Sequence, residues 1–244
     1  MKNLTAHQEE YRKSLSIIKE KIRRGKGGRN HPLKFAEFMW ASMKESADQQ
    51  EFVTKRLGKS NRARNAHDFY GWMSKSGNLG ECRGAIYRSE RYMNIALADR
   101  SGRLKQKSKG EEYTSHDVHI EHSVPVAVIL ETIWHESKRL TSNPSAQVNL
   151  GKLHETFLSM SVCTALTRQE EKVCVKKKFK KTHPEFDAGN LLARSLEDIH
   201  PFARYDFSEG LRIYEVIDGT AIDPENFTLK DHIKLVNAAG IYKL

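Results

Sequence analysis

Hydrophobic and polar positions along this chain change rhythm near its middle. From about residue 5 to 24, Leu15, Ile17, Ile18 and Ile22 stand among many charges, which predicts an exposed helix ending at the break Gly25-Lys26-Gly27-Gly28. Asn30 suits the N-cap of a second helix, with Pro32 near its first turn and Leu33, Phe35, Phe38, Met39, Trp40 and Met43 behind it. A further helical stretch runs to Ala98, after a basic segment from Arg83 to Arg91 that contains Tyr87. Residues 100–112, RSGRLKQKSKGEE, are polar and glycine-punctuated, and they predict a linker or mobile loop.

Beyond that stretch the apolar residues come in shorter runs. A strand is expected to end near His122, followed by a strand or turn over Val124–Ile129 and a helical or mixed segment to about Leu140, with a loop at Asn143-Pro144-Ser145. Leu158–Leu166 predicts a buried strand, and Thr167-Arg168-Gln169-Glu170 has the pattern of a capping box that starts a helix. Leu211–Ile217 predicts another strand, closed by a turn at Asp218-Gly219. The end segment TLKDHIKLVNAAG predicts a C-terminal helix, with Asp231 and His232 as an exposed pair. The fold class is therefore α+β, with a helical, basic N-terminal region over 1–110 and a second region over 111–244.

Charge sharpens that division. Residues 1–110 carry 25 Lys and Arg against 11 Asp and Glu, and residues 111–244 carry 16 against 20, so the first part is +14 and the second −4. A surplus of that size on one part suits a polyanion partner, because cations that neutralise phosphates release condensed counterions. Lys55–Arg64, KRLGKSNRAR, sets Arg62 and Arg64 beside the aromatic group Phe69, Tyr70 and Trp72, a mixture that fits a phosphate backbone as well as a solvated helix start beside a core cluster. No run of about 18 apolar residues is present, so no membrane partner is expected. The three cysteines, Cys82, Cys163 and Cys174, form no CxxC pair, so they suggest neither a zinc ribbon nor a disulfide framework and suit a reducing, cytoplasmic setting.

The densest chemistry lies in His119-Ile120-Glu121-His122-Ser123-Val124-Pro125-Val126. Hydrolysis of a phosphodiester needs a base for water and a cation to screen phosphoryl charge. A histidine, with an unperturbed pKa of about 6.5, suits the first task, and a carboxylate is a hard ligand for Mg²⁺. Strand alternation puts His116, Val118, Ile120 and His122 on one face and His119 and Glu121 on the other, so both groups reach one site only if the backbone twists at the strand end. HExxH and HxxEH metalloprotease spacings and a GxSxG nucleophile elbow are absent.

The Glu121-His122 pair with Pro125 downstream resembles the opening of the HNH (ββα-metal) nuclease motif, with glutamate where aspartate is more usual. The resemblance covers roughly Asp117–Lys172. It implies a ββα-metal core in which Glu121 binds the metal, His122 is the catalytic base and a following helix supplies another ligand. The preferred match for that part is LSMSVCTAL followed by TRQEEKVCV, which offers Glu171, Glu170 or Gln169. A capping box accounts for Glu170 without any metal, which favours Glu171. A competing alignment uses Asn149-Leu150 with His154.

The resemblance implies Mg²⁺, or Mn²⁺, as cofactor and double-stranded DNA as substrate, cut in the manner of an HNH-type type II restriction endonuclease. A homodimer is the natural arrangement for cutting both strands of a palindrome. His119, Arg168, Lys176, Lys177, Lys178 and Arg204 are the candidate phosphate contacts in the second region, joining Arg62 and Arg64 in the first. Phe202, Tyr205 and Phe207 are read as packing. Two other functions use the same residues differently: a non-catalytic DNA-binding protein relying on the basic half alone, and an RNA-directed HNH nuclease.

Overall fold

The sheet at the centre of this α+β fold takes strands from both sides of the charge boundary. The computed structural model describes residues 4–23, 32–53, 82–100, 112–141, 150–176, 179, 182–186 and 195–240. The expected glycine-rich break after residue 24, Asn30, the Lys55–Arg64 segment with Arg62 and Arg64, the aromatic group 69–72, most of the linker, the loop 143–145, Asn149, Lys177 and Lys178 lie outside them.

Helices α1 (Leu4–Arg23) and α2 (Pro32–Glu45) lie where the apolar spacing places them. Strand β1 (Tyr87–Ser89) and the short helix α3 (Glu90–Met93) occupy the segment read as a basic patch. Strand β2 (Val118–His122) leads into α4 (Val126–Thr141) and α5 (Leu150–Ser159), and strand β3 (Cys163–Thr167) runs without a gap into α6 (Arg168–Cys174). Strand β4 (Ile213–Glu215) and α7 (Leu229–Ala238) complete the fold.

The sheet order is β2-β3-β1-β4, antiparallel at β2/β3 and β1/β4 and parallel at β3/β1. Each face has its own apolar cluster. Val118, Ile120, Cys163, Ala165 and Tyr214 pack with Tyr92 and Met93 of α3, and Leu4 of α1 packs against them. On the other side Tyr87, Leu166 and Ile213 join Met39 of α2, Ile129 and Ile133 of α4, Phe157 of α5 and Phe202.

Several local expectations change in three dimensions. Val124–Ile129 is no strand: α4 begins at Val126, since a short apolar run has no period of its own and its neighbours decide. Leu158 and Ser159 end α5, and of the predicted strand Leu158–Leu166 only the part from Cys163 is extended, in a strand that runs on to Thr167. The supposed basic patch is largely interior, with Arg88 fully buried. Its guanidinium donates to Glu10 at 2.8 Å and to the Ala85 carbonyl at 3.1 Å, and Arg100 meets both Glu10 oxygens at 3.0 Å. Helix α1 is accordingly less exposed than its charges suggest, with His7, Tyr11 and Ser14 buried. His232 is not exposed either. It is buried with Nδ1 2.7 Å from the Tyr87 hydroxyl, while Asp231 closes a capping box with Thr228.

The turn after β4 forms as its sequence predicts. Gly219 adopts φ +87°, and the buried Glu215 carboxylate accepts the N–H groups of Ile217 at 2.7 Å and Thr220 at 2.7 Å. Among the described residues no helix is long and apolar enough to cross a membrane.

Candidate metal centre

Two pieces of local structure bring the acidic residues together. The first is alternation along β2, which buries Val118 and Ile120 and leaves His119 and Glu121 half-buried on the opposite face. The pairing of His119 with Leu166 and of Glu121 with Thr164 holds both beside β3.

The second is the capping box at the start of α6. The Thr167 hydroxyl accepts the Glu170 N–H at 3.1 Å, and Glu170 Oε2 accepts the Thr167 N–H at 2.9 Å and the Ser89 hydroxyl at 2.6 Å. Glu170 is thereby buried and engaged by the cap. One residue on, about 100° around a helix of 3.6 residues per turn, Glu171 faces β2. The Arg168 N–H donates to the Asp117 carbonyl at 2.7 Å, which ties the start of the helix to the start of β2.

His119, Glu121 and Glu171 converge as a result, with one donor atom from each lying within 4.8 Å of the others. His119 Nε2 is 3.5 Å from Glu121 Oε2 and 3.5 Å from Glu171 Oε1. The outer oxygen of each carboxylate meets an arginine: Arg204 reaches Glu121 Oε1 at 2.8 Å and Arg168 reaches Glu171 Oε2 at 2.6 Å. The inner oxygens face the histidine between them. Burial pushes the Glu121 carboxyl up, but the His119 hydrogen bond and the Arg204 guanidinium outweigh it and hold the group below the ordinary carboxylate range.

Two carboxylates and an imidazole, gathered from a strand and a helix, form a donor set suited to a divalent ion. Oxygen donors suit Mg²⁺ and Mn²⁺, and an imidazole widens the choice toward softer first-row ions.

The other predicted site residues are distributed as follows. His122 lies on the Val118 and Ile120 side of β2, is half-buried and does not belong to the converging group. Gln169 is exposed and its amide donates to the Tyr113 carbonyl at 3.4 Å. His154 is buried on α5 and is not one of the converging group. Arg168 is half-buried and also lies over the Tyr113 ring, 5.6 Å from its centroid. Lys176 is half-buried.

Arg204, expected to contact DNA, is 1% exposed and cannot reach a phosphate backbone from the interior. His119, expected to contact phosphate, stands between the carboxylates. Its shared face with Glu121 was legible from alternation, whereas nothing local marks Arg204 as the partner of Glu121.

No family model matches the chain, and comparison with curated proteins and with solved structures gives no match.

Proposed function

We propose that this protein is a divalent-cation-dependent endonuclease for double-stranded DNA, of the HNH (ββα-metal) kind, resembling a type II restriction endonuclease. The observation that carries this reading is the convergence of His119, Glu121 and Glu171 on a strand-strand-helix unit. Helices α4 and α5 are inserted between the two strands, so the resemblance lies in the spatial unit rather than in a contiguous motif.

Glu121 and Glu171 would hold the ion through their inner oxygens, and Mg²⁺ commonly takes one or two protein carboxylates and keeps several waters. When bound, the ion supplies screening of the charge that builds on the phosphoryl oxygens. With the ion held by the two carboxylates rather than by all three residues, His119 Nε2, 3.5 Å from an oxygen of each, is placed to accept a proton from a water at the centre. This geometry favours His119 over His122 as the base. The +14 charge of residues 1–110 supports a polyanionic substrate, with Arg168, bonded to Glu171, as a phosphate contact beside the centre.

Cleavage of mixed-sequence duplex DNA with Mg²⁺ tests the proposal, run beside EDTA and the Glu171→Ala, His119→Ala and His122→Ala proteins, with fragment ends sequenced. Discrete fragments that vanish with EDTA and with Glu171→Ala are expected. The two histidine variants distinguish the bases, with His119→Ala expected to lose more activity. Intact DNA across Mg²⁺ and Mn²⁺, from folded protein that still shifts DNA in a gel, would replace this reading with that of a DNA-binding protein.

A further inference from the structure

We propose that Arg204 is a positioning residue, which turns the Glu121 carboxylate so that one oxygen is taken by the guanidinium and the other faces His119 and Glu171. The inference rests on the reading of those three residues as a cation site. One amino group of Arg204 donates both to Glu121 Oε1 at 2.8 Å and to the His122 carbonyl at 2.6 Å. It therefore ties the glutamate side chain to the backbone of the next residue, which restricts rotation of the carboxylate relative to the strand.

The segment around Arg204 is itself fastened to both elements that carry the carboxylates. The Lys176 N–H donates to the Arg204 carbonyl at 3.2 Å, and the Asp206 N–H donates to the Cys174 carbonyl at 2.7 Å, so the segment follows the end of α6. The Tyr205 hydroxyl lies 3.0 Å from the Ser123 hydroxyl, just past β2, and Ser123 Oγ lies 2.8 Å from Thr164 Oγ1 on β3. One short stretch thus bonds to both elements that carry Glu121 and Glu171.

Charge alone makes the opposite demand. A guanidinium beside a cation site repels the incoming ion, so its removal would strengthen binding if Coulomb repulsion were its main effect. Orientation predicts weakening, and residues that orient metal ligands typically change affinity by about 10–100-fold. Lysine keeps the charge but lacks the rigid planar fork, so Arg204→Lys separates the two effects.

The test is Mn²⁺ binding by calorimetry, with the Mn²⁺ electron paramagnetic resonance spectrum as a second readout, on the full chain and its Arg204→Lys and Arg204→Met variants, each checked for folding by circular dichroism. The expected result is a folded Arg204→Lys protein with Mn²⁺ affinity lowered by about tenfold or more and an altered spectrum. Unchanged affinity in Arg204→Lys, or tighter binding in Arg204→Met, would overturn the positioning role while leaving the cation site standing. Loss of the fold in both variants would make Arg204 a structural ion-pair member and overturn it equally. Failure of the unaltered protein to bind Mn²⁺ would remove the cation site itself, and the inference with it.

Discussion

The Ser89 hydroxyl donates to Glu170 Oε2 at 2.6 Å, and this buried bond joins β1 to the cap of the helix that carries Glu171. Two neighbouring glutamates thereby acquire different duties. Glu170, 3% exposed, accepts bonds from Ser89 and Thr167, whereas Glu171 stays near the surface beside His119. Glu170→Ala should lower stability by about 1–3 kcal/mol, the cost of a lost cap and of donors left unsatisfied. Glu171→Ala should change stability by less and abolish tight cation binding. Urea denaturation of both variants, alongside Mn²⁺ titration, checks the contrast, and equal destabilisation by the two would show that the helix does not divide these roles.

Cation binding should also appear as stabilisation. An ion that binds only the folded state adds about 2.7 kcal/mol at 100 times its dissociation constant. Melting temperature should therefore rise with Mn²⁺ in the unaltered protein and stay flat in Glu171→Ala and in Glu121→Gln. A rise that persists in both variants would locate the ion elsewhere.

Acid should destabilise the protein partly through His232. Burial lowers its pKa from 6.5 to about 3, so the folded protein keeps it neutral where the unfolded chain takes up a proton. Between those two values the unfolded state binds more protons, and stability falls as pH drops, by up to about 1.4 kcal/mol per pH unit for this group. His7, lowered to about 4 by burial and then by Arg88 and Arg100, adds to the same limb. His232→Gln, which leaves an amide near the Tyr87 hydroxyl but does not titrate, should flatten the stability profile below pH 6.5. An unchanged profile would assign the acid limb to other groups.

Glu10 is the counterion of two interior arginines. Arg88 is 0% and Arg100 8% exposed, and both bond to this carboxylate, which they hold below its ordinary range against the upward push of burial. Breaking a buried pair by removing one partner typically costs about 3–5 kcal/mol, because the remaining charge is uncompensated. Glu10→Ala should shift the urea midpoint strongly downward, and the shift should persist in high salt, which screens buried pairs poorly. A small, salt-sensitive shift would mean that water reaches the cluster.

Local pattern was sufficient for features closed by contacts a few residues apart. The Thr167/Glu170 capping box, the helical period of α1 and α2, the Asp218-Gly219 turn and the shared face of His119 and Glu121 all belong to that kind. What remained hidden depends on partners far along the chain. Ser89 is 81 residues from Glu170, and Arg204 is 82 from the His122 carbonyl it holds. No spacing rule links such positions, so Arg204 reads as a surface cation until the fold buries it. The same applies to Arg88, drawn inside by Glu10 of α1, and to His232, paired with Tyr87. Sequence by itself determined which residue types could hold a cation and which strand face carried two of them. Tertiary structure decided that Glu171, the helical ligand the capping-box pattern favoured, would stand beside them and that Arg204 would stand behind Glu121, because only folding sets the start of α6 beside β2 and brings residues 201–206 against both.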